Sequence, residues 1–584
     1  MGVDEIENAE LIFNFGYNGA DSHPIVQRQI IMAKQKGAKI ICADPRRIET
    51  ARISDIHLQL KGGTNLALVN ALANVIIEED LYDHDFVKNH TLGFEDTVRV
   101  VAKYTPEYAQ EITGVDAELI REAARMYAGA GSAMILYGMG VCQFGQAVDV
   151  VKGLANLALM TGNFGKPSSG IGPVRGQNNV QGACDMGVLP NSFPGYQNVD
   201  FANVHNRLEM LWECKLSDKV GLQLSRVPEN VLNEPEDKRI HAYYIFGEDP
   251  AQSDPDLAEV RETLEKIDFV VVQDIFMNKT CQYADAILPG TAWGEYDGVF
   301  SACDRGFQRV RKLIEPPEGV KEDWQIICDI SSAMGYPMRY NNSEEIWEEV
   351  LSIAPNFAGA TYEKLDELGS IQWPVKKRKM SDSGTVYLHK DGHFASPDGK
   401  GRFYSTEWRP PYELENEEYP LSFATVREVG HYSVRTMTGN CRMLASLEDE
   451  PGWIQMNPED CEELGIKTGE LVKVVNKRGF CITRCLSTPR VAKGATYMTY
   501  QWWIGACNEL TNGKNLDPYS KTPEYKYCNC RVEKMNDQKW AENYLLTEYK
   551  KLRETMGIRC VGEQKTLGVE PPCTDCKRGC DVYE

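Results

Sequence analysis

Residues 9–47 read AELIFNFGYNGADSHPIVQRQIIMAKQKGAKIICADPRR. Leu11 to Phe15 is a short apolar run of the kind a buried strand needs, and Gly16 to Asp21 is a turn. Ser22 is placed to cap a helix, with Pro24 in its first turn. The periodicity carries that helix to about Lys36. Gly37 stops it, and Lys39 to Ala43 forms a second strand closed by Asp44. The unit is β-α-β, the repeat of a doubly wound sheet.

Residues 241–276, HAYYIFGEDPAQSDPDLAEVRETLEKIDFVVVQDIF, repeat it. The spacing predicts a strand over 243–246, a turn over 247–253, a helix over 254–266 and a strand from Phe269 ending at Asp274. Phe15-Gly16, Ala20, Ser22 and Pro24 match Phe246-Gly247, Ala251, Ser253 and Pro255 at identical spacing. Asp44 follows Gly16 by 28 residues and Asp274 follows Gly247 by 27. A glycine turn ahead of a helix lets phosphate reach backbone N–H groups, and an acid at the next strand tip can bond a ribose or purine. Neither unit has G-x-G-x-x-G, so NAD is not the obvious ligand. Two related sites in one chain point to one ligand with two nucleotide arms.

The 584 residues exceed one ordinary core, so three or four domains are expected. A formal charge of −22 excludes nucleic acid as a partner class, because a phosphate backbone needs a basic face. No apolar run is long enough to span a membrane, and the acidic N-terminus is no signal peptide. The scattered cysteines then read as reduced thiols in a cytoplasm. Lys376 to Lys379 in WPVKKRKM is a solvated basic loop. LVKVVNKRGFCITRCLST has strand-turn-strand character within a Val-, Thr- and Gly-rich segment, 414–535, that suits a barrel.

A further stretch, PVRGQNNVQGACDMG at 173–187, shows neither helical nor strand periodicity. It sets one cation, Arg175, among glycines and the amides of Gln177, Asn178, Asn179 and Gln181. With DSHPIV, ICADPRRIETARISD, GMGVCQFGQ, MTGNFGKPSSGIG, GEDPAQSD, QDIFMNKT, ADAILPGTAWGE, DRGFQR, TVREVGHYS and TYQWWIGACNELT, it resembles the molybdopterin oxidoreductase family, and within it the formate dehydrogenases of the H type. The resemblance covers roughly residues 3–550.

That resemblance implies an α/β multidomain fold, with two doubly wound, Rossmann-like domains and a C-terminal double-psi-type β-barrel. The boundaries read 1–177 and 178–292 for the α/β domains, 293–400 for a mixed helical and loop region, 401–545 for the barrel and 546–584 for a cysteine-containing tail. It implies a molybdenum or tungsten ion held by two molybdopterin guanine dinucleotides, acting on formate or CO2. An iron–sulfur electron-transfer subunit or a hydrogenase-type partner would follow, in anaerobic metabolism. It makes Arg175 the formate anchor and His431 the second catalytic candidate. The expected cofactor contacts are Gly16, Asn18, Asp44, Arg46, Gly63 and Asn65 in the first domain, then Met139, Gln143 and Gln177 near the pterins. Gly247, Glu248, Asp249, Ser253, Gln273 and Asp274 serve the second arm. Thr425, Arg427, Glu428, Tyr500, Lys526 and Tyr527 come from the barrel. Another molybdopterin oxidoreductase, such as a nitrate reductase, and a non-catalytic cofactor-binding protein are the competing readings.

Relatives begin with Cys-x2-Cys-x3-Cys and a later cysteine for a [4Fe–4S] cluster, then a selenocysteine or cysteine that ligates the metal, followed by histidine. This chain has no such pair. Cys42, Cys142 and Cys184 read as core or loop thiols. The expectation is a reading frame cut at a selenocysteine codon, leaving a chain inactive by itself. In the tail, Cys573, Cys576 and Cys580 with Cys560 have spacing suited to zinc or a cluster.

Overall fold

The computed structural model describes residues 2–445 and 450–556. Cys560, Cys573, Cys576 and Cys580 lie outside the described residues.

Strands Leu11–Phe15, Lys39–Ala43, Ile56–Leu58, Ala133–Tyr137 and Gly170–Pro173 form one sheet, all neighbours parallel. Its order places 11–15 between 39–43 and 133–137, so successive connections leave from 11–15 in opposite directions. Ligands of such sheets bind at the carboxyl ends of the strands at this reversal. The first strand is buried at all five positions, which fits a run that is apolar except at Asn14. Helices Asn65–Glu78 and Ala147–Met160 pack on the sheet's face, each buried around most of its circumference.

The second unit pairs Ala242–Phe246, Phe269–Asp274 and Ala286–Pro289 in parallel. Both halves of the repeat fold alike. Gly16 and Gly247 are left-handed, at φ 55° and 64°. A one-turn helix follows each, Gly19–Ser22 and Pro250–Ser253, and a longer helix comes next, Pro24–Gln35 and Leu257–Lys266. Ser22 is therefore not the cap expected. Pro24 keeps the residue before it out of the α region, so His23 (φ −146°, ψ 66°) breaks the two helices and Ser22 ends the first. Pro255 does the same to Asp254 (φ −81°, ψ 157°), which moves the helix expected from 254 to a start at Leu257, capped by Asp256.

Residues 298–310 and 371–372 form a small antiparallel sheet, packed under helices Ser343–Ile353 and Tyr362–Leu368. Among the described residues, six strands between Leu421 and Lys534 close into a barrel, with 421–426 parallel to 495–499 and 453–456 parallel to 484–487. Its interior is filled by Ile454, Met456, Val472, Val474 and Met498, with Cys461, Cys481, Cys485, Cys528 and Cys530 as small apolar fillers. The cysteines among the described residues are free thiols. Helix Gln538–Met556 packs on the barrel and runs through the boundary expected at 545. Among the described residues no helix is long and apolar enough to cross a membrane.

Candidate functional site

At the reversal of the first sheet the turns after two strands touch. Gly140 N–H donates to the Gly16 carbonyl at 3.0 Å. A Cβ on Gly140 would lie 2.6 Å from that oxygen, so two glycines are needed for the approach. Asn65 Nδ2 donates to the Gly140 carbonyl at 3.2 Å, and Trp408 Nε1 to the Gly63 carbonyl at 2.9 Å. Met139, 55% exposed, stands at the open side.

Asp44 and Asp274 terminate equivalent strands and are held alike. Asp44 accepts from the Arg46 amide at 2.9 Å, and Asp274 from the Ile275 amide at 2.6 Å. Burial raises both carboxyls above their ordinary range, while Arg46 opposes the shift at Asp44. In the second unit Asp249 accepts from the Thr280 amide and hydroxyl at 2.9 and 2.7 Å. Asn278 Nδ2 ties the Glu248 carbonyl to the Asp274 carboxylate. A Cβ at Gly247 would meet nothing within 4 Å, so this turn is open to a ligand. Gln273 Nε2 instead reaches Asp323 at 2.6 Å.

The barrel closes over both turns. Lys526 N–H donates to the Gln143 carbonyl at 3.2 Å, and its Nζ to the Thr425 carbonyl at 2.6 Å. The Tyr527 ring lies against Gly62. Arg46 reaches Gln455 at 3.3 Å and stands 5.5 Å from the Tyr497 ring centre. On the second side, Asn508 Nδ2 donates to the Ser253 carbonyl at 2.8 Å and Gln252 Nε2 to that of Trp502 at 2.6 Å.

The third wall is the segment 174–185, which contains a short helix, Val180–Asp185, where no periodicity predicted one. Arg175 is half-buried, and Nη1 donates to Cys184 Sγ at 2.9 Å. Gln177 is exposed. The Asn178 amide donates to the Tyr432 hydroxyl at 2.9 Å, joining this wall to the barrel loop. Arg427 sits 5.3 Å from the Tyr432 ring centre and donates to the His431 carbonyl at 3.3 Å. His431 is 1% exposed, with Nδ1 on Thr438 Oγ1 at 3.0 Å and its ring edge-on to Trp502. Gln501 Nε2 holds the carbonyls of Glu428 and His431. Burial raises the Tyr500 hydroxyl, and Arg427 opposes it.

The residues fit a polar, anionic, two-armed group. Asn14 Oδ1, Tyr17 OH, Asn18 Oδ1 and Arg427 Nε are buried without hydrogen-bond partners around the first turn. Such orphans cost about 1–3 kcal/mol each unless a ligand satisfies them. Arg46, Lys526, Arg427 and Arg175 supply cations to a cradle in an otherwise acidic chain. Sequence reasoning missed His23, Tyr17, Gly140, Gln455, Tyr497 and Tyr432. The His-Pro pair of DSHPIV was visible, but the barrel contacts join residues some 400 positions apart and leave no local signal.

Lys526 gives a prediction. Burial lowers its pKa from 10.5 to about 8, with Arg46 adding to the shift. The folded, ligand-free protein then binds fewer protons than the unfolded chain between about pH 8 and 10.5, so its stability rises with pH across that window. Lys526→Met should raise the thermal midpoint of ligand-free protein at pH 7 and flatten its pH dependence, while lowering guanine nucleotide retention. Calorimetry over pH 6–10 and nucleotide release from the two proteins check both halves.

Residues 2–333 match the model of the molybdopterin oxidoreductase family, and 421–529 match the molydopterin dinucleotide binding domain. The chain is 54% identical to formate dehydrogenase H of Escherichia coli, over 94% of this chain and 76% of that protein. It is 44% identical to the F420-dependent formate dehydrogenase subunit alpha of Methanocaldococcus jannaschii, over 91% of this chain and 78% of that one. The fold is similar to that of acetylene hydratase from Pelobacter acetylenicus, with a TM-score of 0.73 at 20% identity, covering 91% of this chain and 81% of that one.

Proposed function

The chain belongs to the molybdopterin oxidoreductase family, and from that premise we propose that it is the catalytic subunit of a formate dehydrogenase, converting formate to CO2, two electrons and a proton, or the reverse. The observation that carries this reading is Arg175. It stands on the segment 174–185, which joins the first α/β unit to the barrel loop of Arg427 and His431. A planar guanidinium takes both oxygens of a carboxylate, which lysine cannot. With Nη1 on Cys184, the other edge of the fork remains for substrate. Gripping formate by its two oxygens leaves its C–H bond as the free end and aims it. Arg427 adds positive charge beside it, and His431, fixed by Thr438 and Gln501, is the second candidate.

Gly16, Asn18, Asp44, Arg46, Gly63, Asn65, Met139, Gln143 and Gln177 would hold one dinucleotide arm. Gly247, Glu248, Asp249, Ser253, Gln273 and Asp274 would hold the other, and Thr425, Glu428, Tyr500, Lys526 and Tyr527 would cover them. When bound, a molybdenum or tungsten bis(molybdopterin guanine dinucleotide) supplies a centre that accepts two electrons. An iron–sulfur route to a partner subunit in the cytoplasm is part of the same proposal. This chain has no Cys-His or Sec-His pair for the metal, so the test is dye reduction with formate, and reduced-dye oxidation with nitrate, by cofactor-loaded enzyme in which this chain is joined by that ligand. Turnover with formate supports the reading; turnover with nitrate alone overturns it.

A further inference from the structure

His23 occupies a position that the repeat does not require to be histidine. The second unit has Asp254 there, and the backbone needs only an extended residue ahead of proline. Its neighbours are specific. The Tyr17 ring centre lies 5.2 Å away. A Cβ built on Gly176 would be 3.5 Å from Nε2, so the imidazole lies against the backbone that carries Arg175. Both ring nitrogens are buried and make no ordinary hydrogen bond to the described residues. Burial lowers the His23 pKa, the Arg175 backbone opposes this, and Arg427 adds to it. A neutral ring at this place can brace the turn without repelling the two arginines.

We infer that His23 is a positioning residue for Arg175, bracing the Arg175–Gly176 turn so that the guanidinium lies on Cys184 with its free edge toward the bound carboxylate. The consequence for catalysis rests on the formate reading. The placement itself does not, because Arg175 covers Cys184 Sγ whether or not the enzyme turns over. Cys184 is therefore a reporter of the brace.

The experiment compares the full-length, cofactor-loaded wild type with His23→Ala and His23→Asn, the second keeping a short polar side chain. Iodoacetamide labelling of Cys184 is followed by peptide mass spectrometry, and formate kinetics by dye reduction. His23→Ala should change the Cys184 labelling rate about tenfold and lower kcat/KM for formate about tenfold, with KM raised. His23→Asn should restore most of both. An unchanged Cys184 rate in His23→Ala overturns the inference. So does a fall in kcat at constant KM, or a His23→Asn variant no better than alanine. If the wild type does not oxidise formate, the labelling decides the brace alone and the substrate reading fails separately.

Discussion

Arg175→Lys should lower kcat/KM for formate by about 10² to 10³ while leaving the bound guanine nucleotide unchanged. A lost preorganised donor to a reacting anion costs about 2.7–4 kcal/mol of transition-state stabilisation. Lysine keeps the charge but not the fork, so its ammonium cannot both stay on Cys184 and hold two carboxylate oxygens. Formate then binds in more than one orientation, and the fraction with a correctly aimed C–H bond falls. Dye reduction over a range of formate concentrations, with nucleotide content measured on the same sample, checks this. A variant within about threefold of wild type would remove Arg175 from the substrate site.

Arg435→Met should cost about 3–5 kcal/mol of stability, more than any surface change in the chain. Arg435 and Glu450 form an ion pair in which both side chains are fully buried. Glu450 also accepts from the amides of Trp503 at 3.0 Å and Ile504 at 3.2 Å, and the rings of Trp502 and Trp503 flank the guanidinium at 4.9 and 4.8 Å. Burial raises the Glu450 pKa and Arg435 opposes the rise. Without the arginine the carboxyl keeps a proton in the folded state at a higher pH. A folded carboxyl with a raised pKa loses stability as pH rises above its unfolded value, so the variant should be weaker at pH 8 than at pH 5. Adding Glu450→Gln should recover part of the loss, because the uncompensated charge is then gone. Denaturant melts of the three proteins at both pH values measure it. Trp502, which flanks Arg435, also lies edge-on to His431.

The α/β units were legible because their signals are local. Glycine at φ 55° and 64°, a one-turn helix and a proline that ends it, at or just ahead of the longer helix, all lie within nine residues of one another in each repeat. The proline's backward reach was what the reading missed, giving Ser22 a cap it does not make. The helix at 180–185 escaped because six residues, VQGACD, are too few to carry a helical period. The barrel was visible as strand character but not as pairing. Its parallel neighbours 421–426 and 495–499 are some 70 residues apart, and register over such distances follows from packing. For the same reason Arg46 and Arg427 could be singled out as cations, while Gln455 and Tyr497 beside Arg46, and Tyr432 beside Arg427, could not.

The central claim is that the two repeated turns and the barrel hold one cofactor with two guanine nucleotide arms. The most direct test is to release nucleotide by mild acid from protein purified out of molybdate-fed cells, and to measure GMP and metal per chain. Two equivalents of GMP with one of molybdenum or tungsten are predicted, falling together in Lys526→Met. Metal-free protein carrying no GMP, after loading conditions that fill a known member of the family, would contradict the account.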